Sequence, residues 1–410
     1  MSNTSPTTSF SPRFIVIGLD DKEDQCFPLE VQEKIRKGCI FSGGIRHHAL
    51  VQSLLPEQAE WIDISVPLNA VFEQYRNKQE IVVFASGDPL FFGFANTLKR
   101  EFPQAELELF PYFNSLQVLA HRLQMPYHDM KVVSLTGRPW KGFDCALLER
   151  TPKIGVLTDR KKTPAVIAQR MLDYGYNHYR MFVGEHLGNK ELEQVRSFSL
   201  TEVTNQAFTF PNNILLVGEE KKLRIARPFG IADEQFELLN GRKRMITKAP
   251  IRLATLSALQ LSRYTSFWDI GFCTGSVSIE AKLQFPHLEV TSFEKRPEGK
   301  ALLQINSQRF GALGLAPIIG DFMTLDLTAY PPPEAVFIGG HGGALHAMIE
   351  KVSRILSPGG TLVFNAVSPQ SKQEFIQAAE DCNLSLQPAT KITVDLFNPI
   401  EILKATSPIY

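Results

Sequence analysis

The feature that most narrows the fold of this chain is a repeated junction: a short β-branched or aromatic run, a glycine turn, then a helical pattern. It occurs at Arg13-Phe-Ile-Val-Ile-Gly18 before a helix expected from about Pro28 to Lys37. It recurs at Glu80-Ile-Val-Val-Phe-Ala-Ser-Gly87 before Pro89–Arg100, and at Phe267-Trp-Asp-Ile-Gly271 through Gly275 before Ser276–Gln284. Apolar runs without polar alternation read as strands buried on both faces, and such strands linked through helices imply parallel sheets with helical crossovers. The expected class is therefore α/β. Further strands are expected at Leu107–Phe110, Lys131–Ser134, Lys153–Leu157, Tyr179–Val183 and Ile214–Val217, with helices at Ser115–Leu123 and Pro164–Tyr174.

The chain has 410 residues, room for two or three domains at roughly 150 each. The charged stretch Glu219–Arg227, closed by Pro228-Phe-Gly, is the expected boundary. This gives a frayed tail at 1–12, a first domain at 13–218, a linker at 219–228 and a second domain at 229–410. In the second domain a helix is followed by the strand Ser266–Ile270, the helix Ser276–Gln284, the strand Glu289–Phe293 and the helix Glu298–Phe310. A strand near Ile318, another at Ala335–Ile338, a helix at Ala344–Leu356 and a strand at Thr361–Asn365 complete a second doubly wound unit.

Lys plus Arg and Asp plus Glu both number 43, so no whole-molecule field favours nucleic acid or an anionic membrane, and neither is expected as a partner. An anionic ligand must meet local cations, for which Arg46, His47, His48, Arg138, Arg242, Lys243, Arg244 and Lys248 are candidates, although residues of this kind are more often solvated surface charges. The five cysteines are scattered without C-x-x-C spacing, which fits a reducing cytoplasm and no zinc site. His341 and His346 have no third ligand spaced with them, so no metal is expected. A homo-oligomer is expected.

Asp269-Ile-Gly271-Phe272-Cys273-Thr274-Gly275 is the chemically informative turn. Gly271 and Gly275 permit backbone angles and close approaches that a β-carbon blocks, and the following helix presents free amides. Glu294 closes the next strand 23 positions after Gly271, where its oxygens could accept both hydroxyls of a ribose. A solvated strand end is the plainer alternative. Asp269 before the first glycine would repel a pyrophosphate but suits the methionine part of S-adenosylmethionine, and Asp321 is placed to meet an adenine amino group. The chemistry points to a methyl donor and away from a dinucleotide. Cys273 reads either as a small buried loop residue or as a nucleophile.

Asp-Ile-Gly-Phe-Cys-Thr-Gly-Ser-Val-Ser-Ile-Glu280, Phe-Glu-Lys-Arg-Pro-Glu298, Ile-Gly-Asp-Phe322, Phe-Ile-Gly-Gly-His-Gly-Gly343, Leu-Ser-Pro-Gly-Gly360 and Asn-Ala-Val367 resemble the decarboxylating C-15 methyltransferase domains of cobalamin biosynthesis. The resemblance implies a Rossmann-like S-adenosylmethionine site lined by Gly271–Gly275, Glu294, Phe322 and Thr247. It also implies a reaction centre faced by Gly339, Gly340 and His341, with Asn365 beside it. Phe272-Cys273 and His341 depart from the small residues usual there.

Over residues 13–218, Val-Ile-Gly18, Gly-Gly-Ile-Arg-His, Ala85-Ser-Gly-Asp-Pro-Leu-Phe-Phe-Gly93, Pro-Tyr-Phe-Asn-Ser-Leu-Gln117, Val-Val-Ser-Leu-Thr-Gly-Arg138, Val-Leu-Thr-Asp159 and Phe-Val-Gly-Glu185 resemble the C-5 methyltransferases of the tetrapyrrole methylase family. That resemblance implies a two-lobed fold and a donor cleft using Gly18, Gly87, Asp88 and Ser115. Asp20 and Tyr112-Phe113-Asn114 depart from small residues at that cleft. The two families in this order imply a fused enzyme that methylates a precorrin or cobalt-precorrin at C-5 and C-15 with loss of a ring-C acetate as carbon dioxide. Two alternatives stay open: a methyltransferase acting on RNA or another small molecule, and a first half that serves only as a binding module.

Overall fold

The computed structural model describes residues 11–223, 229–242, 245–394 and 399–409. Most of the expected tail, residues 224–228 of the expected linker, and the candidates Lys243 and Arg244 lie outside the described residues. The chain forms two compact units. One runs to Arg138 and includes Pro152–Ala168 and Tyr179–Val217; the other holds Pro139–Thr151, Gln169–His178 and the chain from Gly218 onward.

The first unit has two five-stranded sheets. In the first, the order is Glu60–Asp63, Ile40–Gly43, Glu80–Ser86, Arg13–Leu19, Glu106–Phe110, and every neighbouring pair is parallel. The two central strands carry unbroken non-polar runs, Phe14–Leu19 and Ile81–Ala85, because both faces are covered. Phe14, Val16, Ile81 and Val83 pack on one side, and Ile15, Ile17, Val82 and Phe84 on the other. Burying each such side chain contributes about 1.5–3 kcal/mol. The four-residue strands Ile40–Gly43 and Glu60–Asp63 were not legible, since each breaks its apolar run with a polar residue or glycine.

The second sheet, ordered Lys131–Ser134, Lys153–Leu157, Asn212–Gly218, Tyr179–Glu185, Gln194–Ser199, corrects the expectation of parallel strands. Its first pair is parallel, but Lys153–Leu157 meets Asn212–Gly218 antiparallel, and Tyr179–Glu185 meets Gln194–Ser199 antiparallel. A second correction concerns the turn after Gly87. The helix begins at Phe94, not at Pro89, so Asp88 caps no helix; its Oδ1 accepts from Leu90 N at 2.8 Å and closes a turn.

The second unit is built on one sheet in the order Ala316–Ile319, Glu289–Glu294, Ser266–Ile270, Ala335–Ile338, Thr361–Ala366, all parallel, continued by the antiparallel Ile400–Thr406 and Ser385–Leu386. Ser266–Ile270 is buried at all positions, with Trp268 and Ile270 in one apolar layer and Phe267 in the other. The helix Pro369–Asp381 and the antiparallel edge were not anticipated, although Ser368, whose side chain caps Ser371 N, and Pro369 at the first helical turn signal that helix. No helix among the described residues is long and apolar enough to cross a membrane.

Candidate active site

In the second unit a cavity of about 810 Å³ opens at the carboxyl ends of the parallel strands, where doubly wound sheets hold their ligands. Of the residues singled out from the sequence, Thr247, Gly271, Cys273, Glu294, Asp321, Phe322, Gly339, Gly340, His341 and Asn365 line it, as does Lys248. Two loops make the floor. Gly271 has φ +77°, and a β-carbon there would stand 2.7 Å from Gly340 N and 2.8 Å from Gly340 O. The glycine is therefore needed to let a second loop approach, a reason that the motif alone does not give.

Gly275, also left-handed at φ +76°, is not on the wall; a β-carbon there would meet Leu303 Cδ1 at 2.1 Å, so it seats the helix Glu298–Phe310. Phe272 and Thr274 are likewise buried away from the cavity lining. Phe272 packs its ring toward Gly299, which explains how a bulky residue fits this turn. Asp269 departs from its expected placement by a methionine group. Only 1 % exposed, it accepts from Ser278 N at 3.1 Å and Ser278 Oγ at 2.5 Å, binding the first turn of the helix Ser276–Gln284 to the strand. Burial pushes its pKa up to about 7, with the Ser278 hydrogen bonds opposing the shift.

Glu294 ends its strand 5 % exposed. Its Oε2 accepts from Cys273 N and its Oε1 from Arg296 N, each at 3.0 Å, so the turn's own amides fix the carboxylate at the cavity wall. Each oxygen retains a lone pair for a ligand hydroxyl. Burial, with the Glu294 charge adding to it, pushes the Cys273 thiol up, which is the opposite of an activated nucleophile. Asp321 lies at the rim, where Lys295 at 2.8 Å and the amide of Met323 hold its carboxyl below the usual range. His341 Nδ1 accepts from Gly343 N at 3.3 Å, while His346 pairs with Asp381 at 2.9 Å. Asn365 is hydrogen-bonded to Thr255.

A residue that the motifs missed organises one wall. Arg252, fully buried, pairs its Nε with Glu280, donates Nη2 to Ile231 O, and donates Nη1 to Thr247 O at 2.6 Å. Glu280 in turn accepts from the amides of Gly230 and Ile231. This buried pair ties the segment before the helix Ala249–Leu259 to the helix Ser276–Gln284, and so sets Thr247 and Lys248 on the cavity. Lys248 Nζ meets Asp233 at 3.4 Å. An Arg four residues after a Thr-Lys pair is the only signal in the sequence.

In the first unit, Gly18, Gly87 and the segment before Ser115 converge at the carboxyl edge of the parallel sheet. A β-carbon on Gly18 would stand 1.9 Å from Gly87 O, and one on Gly87 would stand 2.8 Å from Asn114 Cα. Gly87 N donates to Leu19 O at 2.7 Å, and Tyr112 N donates to Gly87 O at 3.3 Å. Ser115 opens the helix Ser115–Arg122, capped by Asn114 through a reciprocal pair with Gln117 at 3.0 Å. The departures from small residues thus have local roles: Asn114 caps, and Tyr112 Oη accepts from Lys22 Nζ at 3.1 Å, which in turn pairs with Asp20 at 3.0 Å. Of the basic candidates, His48 stacks on Trp61 at 4.1 Å and Arg138 lies 5.0 Å over the Phe92 ring.

Two α/β units, each with glycine turns gathered at the carboxyl edge of a parallel sheet, form a fused methyltransferase. A family model described as a precorrin methyltransferase domain matches residues 240–408, and one described as tetrapyrrole (corrin/porphyrin) methylases matches residues 43–204. The precorrin-6Y C(5,15)-methyltransferase [decarboxylating] of a Sinorhizobium species is 31% identical over 371 residues, covering 90% of this chain and 87% of that protein. The chain belongs to this family. Two Salmonella typhimurium proteins each match part of it. The cobalt-precorrin-6B C(15)-methyltransferase (decarboxylating) is 42% identical over 135 residues, 33% of this chain and 68% of that protein. The cobalt-precorrin-7 C(5)-methyltransferase is 31% identical over 159 residues, 38% of this chain and 75% of that protein.

Proposed function

We propose that the chain methylates a precorrin or cobalt-precorrin macrocycle at C-5 in its first unit and at C-15 in its second, with loss of the ring-C acetate as carbon dioxide, and that S-adenosylmethionine is the donor at both. The observation that carries the reading is the cavity of the second unit, where the buried Glu294 carboxylate is fixed by the amides of Cys273 and Arg296 beside two loops in backbone contact. That donor set fits an adenosyl ribose, since a carboxylate with both oxygens positioned can accept two vicinal hydroxyls. Asp321 at the rim suits an adenine amino group.

When bound, the donor supplies an already activated sulfonium methyl, so the chain's own work is alignment and exclusion of water. Such positioning is worth on the order of 7–11 kcal/mol. Gly339 and Gly340 supply close backbone approach, which admits a flat macrocycle edge where side chains would intrude. His341 and Asn365 line the same space, and Lys248 brings a cation to it for an acidic substrate. In the first unit Gly18, Gly87, Asp88 and the helix start at Ser115 are the residues we assign to the second donor.

Mass measurement after incubation with the macrocycle and donor should find two methyls added and one carbon dioxide lost. Glu294→Ala should weaken S-adenosylhomocysteine binding at one of two sites by roughly ten- to a hundredfold, from the loss of charge-assisted hydrogen bonds. It should also suppress the C-15 methyl while the C-5 methyl is still added. Full C-15 methylation by that variant would refute the assignment of Glu294.

A further inference from the structure

Strand Glu80–Ser86 ends, immediately before Gly87, on a hydroxyl whose proton has no acceptor. Ser86 Oγ accepts from Arg46 Nη2 at 3.0 Å and lies 2.9 Å from His47 Nε2. His47 Nδ1 is itself an acceptor, taking the Gly44 amide proton at 3.3 Å. Burial, together with the neighbouring Arg46 charge, pushes the ring's pKa down to about 4, so it is neutral near pH 7 and carries its single proton on Nε2. With its proton on Nε2, and with the Phe84 backbone as a further partner of the ring, His47 cannot accept the Ser86 proton. Ser86 Oγ already accepts from Arg46, so what it has left to offer a ligand is its O–H. Among the described residues no acceptor receives that proton, and the side chain is exposed at the edge where Gly18 and Gly87 meet.

Arg46 adds the charge. Its Nη1 stands 3.2 Å from Asp21 Oδ1, a carboxylate whose other oxygen is 3.6 Å from His186 Nδ1, and the Arg46 side chain is 42% exposed. Asp21 orients the guanidinium without using up its five N–H donors. An outward hydroxyl donor beside a guanidinium with donors to spare recognises an anion with two acceptor oxygens, which is a carboxylate.

We propose that Ser86 and Arg46 form a two-pronged fork that seats one carboxylate of the acidic macrocycle at the C-5 centre. The inference rests on the reading of the first unit as the C-5 site. It goes beyond that reading by naming a substrate-binding pair, held in place by His47 and Asp21. The donor's methionine part also carries a carboxylate, so the test must separate the two sources.

The full chain is its own control, because C-15 methylation occurs in the other unit. With isotopically labelled donor and the macrocycle, Ser86→Ala should raise the KM for the macrocycle in C-5 methylation by roughly tenfold or more. The C-5 kcat, the KM for the donor and the C-15 reaction should stay near the parent's. Ser86→Thr, which restores the hydroxyl, should recover most of the loss, and Arg46→Gln should raise the same KM. An unchanged macrocycle KM in Ser86→Ala overturns the fork, as does a rise confined to the donor's KM, or a parallel fall of the C-5 and C-15 reactions in both variants. A parent chain that adds no methyl at C-5 overturns the underlying reading of the first unit and the fork with it.

Discussion

Replacing Gly271 with alanine separates two costs that usually travel together. At φ +77° any L-residue loses about 1–2 kcal/mol of backbone energy, and the new β-carbon would lie 2.7 Å from Gly340 N, against the 3.4 Å at which ordinary contact begins. Gly340 must retreat by about 0.7 Å, the difference of those two distances. Because its neighbour is backbone, no side chain can swing aside. Crowding of this kind adds roughly 1–3 kcal/mol, and a displacement near 1 Å in a reaction centre costs on the order of a hundredfold in rate. Gly359→Ala is the matched control. Its φ is +72°, but its β-carbon would meet only Ile409 Cγ1 at 3.5 Å, an ordinary contact. Chemical unfolding should show both variants destabilised, Gly271→Ala more so, while counting labelled methyl and released carbon dioxide should show the C-15 reaction impaired in Gly271→Ala alone. Equal C-15 rates in the two variants would refute the view that Gly271 exists to let the Gly340 loop approach.

Burial raises the Asp269 pKa from 3.8 to about 7, so the folded chain holds this proton more tightly than the unfolded chain and stability should fall as pH rises between about 4 and 7. Asp269→Asn should flatten that slope and gain over the parent at pH 8 by at most about 4 kcal/mol, at 1.36 kcal/mol per pKa unit; denaturant titrations at pH 5 and pH 8 with identical slopes for parent and variant would rule this out. Arg252→Met leaves the fully buried Glu280 without its cation and should cost about 3–5 kcal/mol, with most of the loss recovered in Arg252→Met/Glu280→Leu. A loss below about 1 kcal/mol in the single variant would show that the pair does not hold the wall.

The strands with an apolar run were legible because burial on both faces removes polar residues from their middles. Ser266–Ile270, Ala335–Ile338, Lys131–Ser134 and Lys153–Leu157 have the bounds expected from the sequence. The edge strands Glu60–Asp63 and Gln194–Ser199, mostly exposed or half-buried, left no apolar run to read. The site divided in the same way. Glu294 and Gly271 stand at strand ends that the local pattern marks, whereas Asp269, in the same motif, turns its side chain onto the first turn of the helix Ser276–Gln284 and accepts from Ser278 there.

By itself the sequence determined the two α/β units, the glycine turns, and the residue types able to hold an adenosyl donor, since strand burial, left-handed turns and ribose-binding carboxylates each constrain neighbours within a few positions. Only the tertiary structure decided that Gly271 answers to Gly340, that Arg252 reaches back to Thr247, and that Ser86 is locked by Arg46 and His47. The first and last of those relations join residues 39 to 69 positions apart, set by how the strands are ordered in the sheet, while the short reach from Arg252 to Thr247 depends on Glu280, 28 positions on, holding the guanidinium; no local pattern records either.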